Sequence, residues 1–527
     1  MAQQEPILVQ LSMDEKNGYD VGDFQIYETL SGVPEYRVTV LDQAASVSAL
    51  LGKPCQINFV KDVYADAKPR EFAGIVMSVE RVVTRDGSPA LTLIIRPPLA
   101  VLALSISSAV YEKKTALDVL KLVLERNNLK KLKVTGSKPT VARDVVIQYN
   151  ENDLDFVRRI LAEEGLTFYF HDGSLAGTLV LHDTQKPFPT SAKGIKLTDS
   201  ELSDVERMEA STLRLHQRLR PNKVELLTYD PEKADKADAA KTLSLNAKPS
   251  EKPAVLEYRP VTVPKGKVSG SEINVASDAM RRDEYGLTGV CEHPGMYLGQ
   301  ALNIKSNGHS DISGDYVIVA IRYTPVRGNA LQCQFDAIPK THNAAPARLP
   351  KPQIVGVHNA IVIGGSNSKA GDPYCDAEGR VHVRFFWDKE GDNTVWLRVA
   401  EPYAGKGYGA QFIPRVGHEV LVSFLHGDPD APIITGQIYN AKNKPPFIGK
   451  NTTRSGIRSK LAGEANEWEF DDKKGSELIA VRAAKDYHLA VNNDATRDIK
   501  KNETSTIGET CKLEVKKDFV TKVSDSI

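Results

Sequence analysis

The sequence predicts a mainly β, multidomain protein that ends in an intertwined β-stem built by several chains. Three observations carry that prediction: β-branched residues at a period of eight near the C-terminus, a compact run of about five alternating strands before them, and only two clear helices in the remaining strand-rich sequence. The octad anchors are Val491, Ile499, Ile507, Val515 and Val523, separated mostly by Lys, Asn, Asp, Glu and Thr. Eight is an even number, so in extended chain the same face returns once per octad, with one or two apolar residues to bury. So thin a stripe makes no core in one chain, whereas several copies wound about a common axis can.

Residues 1–200 read as strands with both helices. TALDVLKLVLERNN begins on the capping residue Thr115 and carries Leu117, Leu120 and Leu124 on one face, widened by Val119 and Val123. NDLDFVRRILAEEG groups Leu154, Val157, Ile160 and Leu161, pairs Arg159 with Glu163 one turn on, and stops at Gly165. LTFYFHDGSLAGTLVLHD then alternates and turns between Gly173 and Gly177, a hairpin. Residues 201–345 continue as strands around DPEKADKADAAKTLSLNAKPSEKP, from Asp230, whose charge and near lack of large apolar residues predict a solvated, mobile loop. THNAAPARLPKPQ, with Pro346, Pro350 and Pro352, predicts a stiff linker.

Residues 346–446 hold GRVHVRFFWD, TVWLRVAEP and HEVLVSFLHGDPDAPIITGQIYN, the last turning through Gly427, Asp428 and Pro429. About five strands in so short a stretch suit a small barrel of the OB type. Residues 447–527 open with a hairpin, NEWEF through DDKKG into SELIAVRAA, and pass into the octads.

Composition narrows the function classes. Lys plus Arg equals Asp plus Glu, at 68 each in 527 residues, which removes the electrostatic footprint of a protein that lives on nucleic acid or anionic membrane. The N-terminus lacks a basic then apolar pattern, so the expectation is cytosolic synthesis without a signal peptide. The most apolar stretch, LTLIIRPPLAVLALSI, is broken by Arg96, Pro97 and Pro98. Cys55, Cys291, Cys333, Cys375 and Cys511 are scattered without a C-x-x-C pair, which fits reduced thiols better than a disulfide framework or a zinc site.

The stretch from EGRVHVRFFWD to QIYNAKNKPPF resembles the barrel signature of the valine-glycine repeat G (VgrG) spike proteins of type VI secretion, carried here by Gly379, Trp396, Pro414, Gly417, Gly427, Asp428, Pro429 and Gly436. VIQYNENDLDFVRRILAEEGLTFYF is similar to the hub hallmark of that family, and NEWEFDDKKGSELIAVRAAKD to the start of its trimeric stem. The resemblance implies tandem phage-hub-like barrels over 1–200 and 201–345, an OB barrel over 346–446 and a trimeric β-helix or prism from 447. It further implies a homotrimeric puncturing spike that sits on a hexameric tube among baseplate components, carries a tip protein or effector at its stem end, and passes transiently through a target membrane when a sheath contracts. Such a protein is cytoplasmic before firing and afterwards lies in the medium or the target cell. A phage or tailocin hub-spike protein would be built alike.

Two departures from that family stand out. Only Ile507-Gly508 keeps the Val/Ile-Gly pair of its stem, and LEYRPVTVPKG replaces an aromatic-Pro-Gly motif in the hub. Since Ile527 follows the last anchor closely, the natural protein is expected to continue with more stem or an effector domain.

Enzymatic readings find little support in the residues. G-x-S-x-G, H-E-x-x-H and the P-loop pattern are absent, and SNSK at Ser366 fits S-x-x-K only as a loop. His171 and His182, each followed by Asp, are the best metal candidates if simple hairpin pairing sets them opposite each other, yet no third ligand can be named. His382, His418 and His426 read as structural, and Glu163-Glu164 and Asp471-Asp472, beside basic pairs, as solvated ion pairs. No catalytic, cofactor or metal residue is therefore assigned. The barrel offers Phe385, Phe386, Trp387, Trp396, Tyr403 and Tyr408 for stacking oligonucleotides, but residues 376–440 hold nine acids against six bases, which argues against a phosphate-tracking groove.

Overall fold

A computed structural model describes residues 9–13, 16–40, 47–59, 70–83, 89–136, 140–171, 177–188, 195–199, 208–221, 223–230, 235–242, 254–259, 270–306, 308–326, 330–388, 394–447 and 452–524. The chain divides into two compact units, Met1–Lys444 and Pro445–Ile527.

The first unit begins with strands β1 (Val9–Met13), β2 (Lys16–Thr29), β3 (Glu35–Val40), β4 (Pro54–Phe59), β5 (Glu71–Val83) and β6 (Pro89–Arg96), with a single helical turn, α1 (Val47–Leu50), before β4. They pair in the order β1-β4-β5-β6-β3-β2, and β2 returns to β1, which closes a six-stranded barrel. Burial alternates along each strand: in β3, Tyr36, Val38 and Val40 face inward while Arg37 stays outside.

A layered insert follows: β7 (Ile106–Lys114), α2 (Ala116–Arg126), β8 (Val134–Thr135), β9 (Arg143–Asn152), α3 (Asp153–Glu163), β10 (Leu166–Phe170) and β11 (Leu179–Asp183). Thr115 caps α2 in a reciprocal box with Asp118, as its sequence predicts, and Asn152 caps α3. The helices bury Val119, Leu120, Val123, Phe156, Val157 and Ile160 against β10 and β11. Asp153, fully buried, is satisfied by Arg126, Asn127 and Gln148.

Next come β12 (Ile195–Thr198), β13 (Met208–Gln217), β14 (Lys223–Asp230), β15 (Asp235–Thr242), β16 (Ala254–Arg259), α4 (Gly270–Arg281), β17 (Tyr285–Cys291), β18 (Ala301–Lys305), β19 (Gly314–Val326) and β20 (Ala330–Pro339). Strands β19-β18-β12-β13-β17-β20 close a second six-stranded barrel through the β19–β20 pair, and antiparallel pairing of β2 with β19 joins it to the first. The solvated loop expected from Asp230 gives way to a strand over residues 235–242, while 231–234 and 243–253 lie outside the described residues. β15 is a strand, registered along β14 from Lys223↔Thr242 to Asp230↔Asp235. A composition argument weighs side chains, whereas this strand is held by backbone hydrogen bonds, which alanine makes as well as valine. The neighbouring helix α4, which the sequence reading missed, packs Ile273 and Ala276 on Val224 and Leu226.

The remaining strands of this unit are β21 (Val357–Val362), β22 (Val381–Phe385), β23 (Val395–Leu397), the short pair β24 (Ala404–Gly405) and β25 (Tyr408–Gly409), β26 (Glu419–Phe424) and β27 (Pro432–Ile438). Five of them form a sheet in the order β23-β22-β21-β26-β27, and a parallel bridge from Val399 to Ile434 curls it into a barrel. Its core of Ala360, Val362, Val383, Phe385, Val420, Val422 and Ile434 also takes in Val110 of β7 and Ile147 of β9. The second unit contains β28 (Arg454–Ser459), β29 (Asn466–Asp471) and β30 (Leu478–Arg482) as one antiparallel sheet, followed by octads free of regular strands in the single chain.

Candidate functional site

Pairing in the second unit runs Ser455↔Phe470↔Ile479 and Ile457↔Trp468↔Val481, and residues directly opposite one another share a face. One face is therefore apolar, with Ile457, Trp468, Ile479 and Val481 all exposed and the Trp468 and Phe470 rings 5.5 Å apart. The other face pairs Arg454 with Glu469 and Arg458 with Glu467, and Phe447 lies 5.0 Å from the Arg458 guanidinium. Arg454, Glu469, Arg458 and Glu467 thus pair within the sheet, while the large apolar side chains of the opposite face stay exposed, a pattern common at association surfaces.

The octads repeat that situation. Val491, Ile499, Ile507, Val515 and Val523 are 50, 42, 52, 44 and 49% exposed, and Tyr487, Leu489, Leu513 and Phe519, also at odd positions, are more open still. In extended chain all of these point one way.

The barrel-signature residues lie in the strands and turns of the OB sheet. Gly379 (φ +72°) ends the turn in which Arg380 binds Asp376 at 2.5 Å. Trp396, opposite His382, stacks on that imidazole with ring centres 4.6 Å apart, and the imidazole reaches Glu112 of β7 at 3.4 Å. Pro414 is buried, and Gly417 (φ +84°) donates its N–H to the Val362 carbonyl. Gly436 faces Leu421 where the β26–β27 register shifts.

The turn of Gly427, Asp428 and Pro429 belongs to a larger buried charge cluster. Gly427 accepts from the Ile354 N–H, and Asp428 receives Lys351 at 3.2 Å. Its neighbour Asp430, buried, receives the same ammonium at 2.6 Å and the Ile147 N–H at 2.9 Å. Arg143 meets Glu163 and Glu164 at 2.5 and 2.6 Å, while Arg159, almost wholly buried, lies 2.6 Å from Glu151 and 3.5 Å from Glu163. Burial alone would raise the Glu163 carboxyl, but Lys351, Arg143 and Arg159 outweigh it and hold Glu163 well below the usual carboxylate range. Glu163 and Glu164 are thus partly buried ion pairs, 16 and 18% exposed, and their reading as solvated pairs is corrected, because Arg143 of β9 binds both and Arg159 also reaches Glu163. The sequence singled out Asp428 but passed over Lys351, Asp430 and Ile147, whose sole hint was a Lys inside a proline-rich strap.

The histidine metal candidate is also corrected. In the β10–β11 register Thr167 opposes His182, while the His171 N–H donates to the Thr178 carbonyl, so the two imidazoles do not face each other. His182 stacks on Phe188 at 3.9 Å instead. Asp172 and Gly173 lie outside the described residues. Among the OB-barrel aromatics, Phe385 is core and Trp387 packs on it and on Tyr149 of β9, whereas Phe386, Tyr403 and Tyr408 are exposed.

A family model described as the phage tail baseplate hub (GPD) matches residues 27–328, more than half of the chain. The chain belongs to the phage tail baseplate hub family. The model of the type VI secretion system/phage-baseplate injector OB domain matches 371–439 of this hub protein, and that of the bacteriophage T4 gp5 C-terminal trimerisation domain matches 451–526. Hub, OB barrel and trimerisation segment in one chain make it a hub protein of the VgrG type. It is 30% identical to the type VI secretion system spike protein VgrG4b of Pseudomonas aeruginosa, over 77% of this chain and 53% of that one. Identity to the actin cross-linking toxin VgrG1 of Vibrio cholerae is 29%, over 79% of this chain and 39% of the toxin. The chain spans less than two thirds of the length of these relatives. In fold it is similar to the E. coli c3393 protein, a type VI secretion component with likeness to T4 gp27 and gp5, with a TM-score of 0.59 at 20% identity over 81% of this chain and all of that one. A VgrG in complex with PdpA also matches in fold, with a TM-score of 0.55 at 12% identity over 91% of this chain and 98% of that one.

Proposed function

We propose that this hub protein is the puncturing spike subunit of a type VI secretion machine, acting as a homotrimer without catalysis of its own. The observation that carries the reading is the unsatisfied apolar face of the second unit, Ile457, Trp468, Ile479 and Val481 followed by the octad anchors, in the segment matched by a trimerisation model. Three copies bury that face about one axis and leave Lys, Asp and Glu outside, and an intertwined stem has no open sheet edge to fray under load. The two hub barrels form the seat on a hexameric tube within the baseplate; the stem end bears a tip protein or effector. Sheath contraction then carries the assembly out of the cytoplasm and through a target membrane, with no need for a signal peptide. Among the described residues no helix is long and apolar enough to cross a membrane.

A phage or tailocin hub-spike protein shares this architecture, and the curated relatives favour the type VI reading. Copurification with a type VI sheath and tube, rather than with a phage-type sheath, separates the two. Oligonucleotide binding by the OB barrel would appear as salt-dependent capture of single strands; the packing of Phe385 and Trp387 supports none.

The deciding experiment is absolute mass by light scattering, on this chain and on one stopped at Lys444. A mass three times the 57.8 kDa chain, lost without the stem, is expected. Monomers in both cases would overturn the reading.

A further inference from the structure

Five cysteines without a C-x-x-C pair look unrelated in sequence, yet the fold brings two of them together. Cys291 ends β17 and Cys333 lies in β20, and the two are direct partners in the antiparallel register of the second hub barrel. Directly opposite residues project to the same face, and both side chains are buried inside the barrel. Antiparallel partners have Cα atoms about 4.5 or 5.5 Å apart, and both spacings lie inside the range a disulfide spans. Met296 completes the cluster, with its sulfur 3.5 Å from Cys333 Sγ and 3.9 Å from Cys291 Sγ. The Met296 carbonyl in turn accepts from Arg70 of the first barrel and from the Tyr323 hydroxyl, so the backbone beneath the sulfurs is fixed at the joint between the barrels.

We propose that Cys291 and Cys333 are an oxidisable pair, made as thiols and closed to a cross-strand disulfide inside the second hub barrel when the protein meets an oxidising environment. The two thiols differ. The Cys333 thiol and the His293 backbone N–H, acting against burial, favour the Cys291 thiolate, whereas burial raises Cys333. Cys291 is accordingly the attacking sulfur. Its thiolate attacks a disulfide such as oxidised glutathione, forming a mixed disulfide and expelling one glutathione thiolate. Cys333 then attacks the Cys291 sulfur, the protein S–S bond forms, and the second glutathione leaves. Two protein thiols lose two electrons, one glutathione disulfide is reduced to two thiols, and the two thiol protons end on the released glutathiones. Burial makes the exchange slow in the closed barrel and fast whenever β17 and β20 part or the chain refolds.

This chemistry does not depend on the spike reading, since it needs only the folded hub. The test is to refold the full chain in a reduced/oxidised glutathione buffer, denature it, alkylate it, and map its thiols by peptide mass against a sample kept in dithiothreitol. Two alkylations should be lost, with one cross-linked peptide joining Cys291 to Cys333, while Cys55, buried beside Gly74 in the first barrel, stays alkylatable. The melting temperature of the oxidised protein should rise by several degrees, and C333A should show no such rise but retain glutathione on Cys291. Should C333A fail to fold, the wild-type peptide map alone decides. Recovery of both thiols in alkylated form, or of disulfides that involve only the exposed Cys375 and Cys511, would overturn the proposal.

Discussion

Lys351 is the residue on which the OB barrel and the hub insert converge, because its ammonium is shared by Asp428 and Asp430 and lies within the electrostatic reach of Glu163. Removing one member of a buried charge cluster leaves the others unpaired, which costs more than the pair contributes when intact. Lys351→Ala is expected to destabilise the first unit by about 3 kcal/mol in urea titrations, and an unchanged midpoint would refute the clustering. His293 shows a second residue-scale effect. Its ring nitrogen Nδ1 accepts from the Gly295 N–H, which requires a neutral imidazole, and burial lowers its pKa to about 4. An unfolded chain has the ordinary His value of about 6.5, so below that pH it takes up a proton the native state refuses. Stability is therefore full above about pH 6.5 and falls as the pH drops toward 4. Part of that slope should vanish in His293→Gln, as read from thermal melts at pH 7 and 5.

At the scale of elements, the β28–β29 ladder turns on a single glycine. Gly456 sits at φ +146°, and a Cβ there would stand 2.2 Å from the Trp468 carbonyl oxygen, a backbone atom that cannot step aside. Gly456→Ala is expected to break this pairing and with it the apolar face, lowering the trimer fraction in sedimentation while leaving the first unit's melting unchanged. How far the elements were legible depended on what held them. Where side chains carry the signal, as with Thr115 and the leucines of α2 or the alternation in GRVHVRFF, the sequence pointed to the right element at the right place. Where backbone pairing carries it, as in Ala-rich β15, or where partners lie far apart in the chain, as for Asp430 with Ile147 and Cys291 with Cys333, no local pattern reports the contact. The His171–His182 expectation failed on register alone, since the strands pair with His171 beside Thr178 and His182 beside Thr167.

For the whole molecule, the division into two units separates two kinds of stability. The first unit carries its own cores, whereas the second unit leaves Ile457, Trp468 and the octad anchors exposed in the single chain, so under the proposed trimer its stability depends on protomer concentration. In the proposed trimer, threefold repetition also multiplies any error. Ile507→Asp would place three like charges at the axis, and its expected outcome is a monomeric peak in light scattering with the first unit still folded. A variant that ran as a trimer of unchanged thermal stability would remove Ile507 from the interior. The barrel after Lys351 invites treatment as an interchangeable module, since its strands are contiguous in sequence. Yet Val110 and Ile147, supplied by β7 and β9, are part of its core, and Asp430 closes on the Ile147 N–H. A barrel cut out at residue 346 would therefore leave behind two of its own interior residues and expose a greasy seam. A graft that keeps this core intact has to carry the β7–β9 strand pair along with the barrel, which makes the two together, rather than the barrel alone, the portable piece.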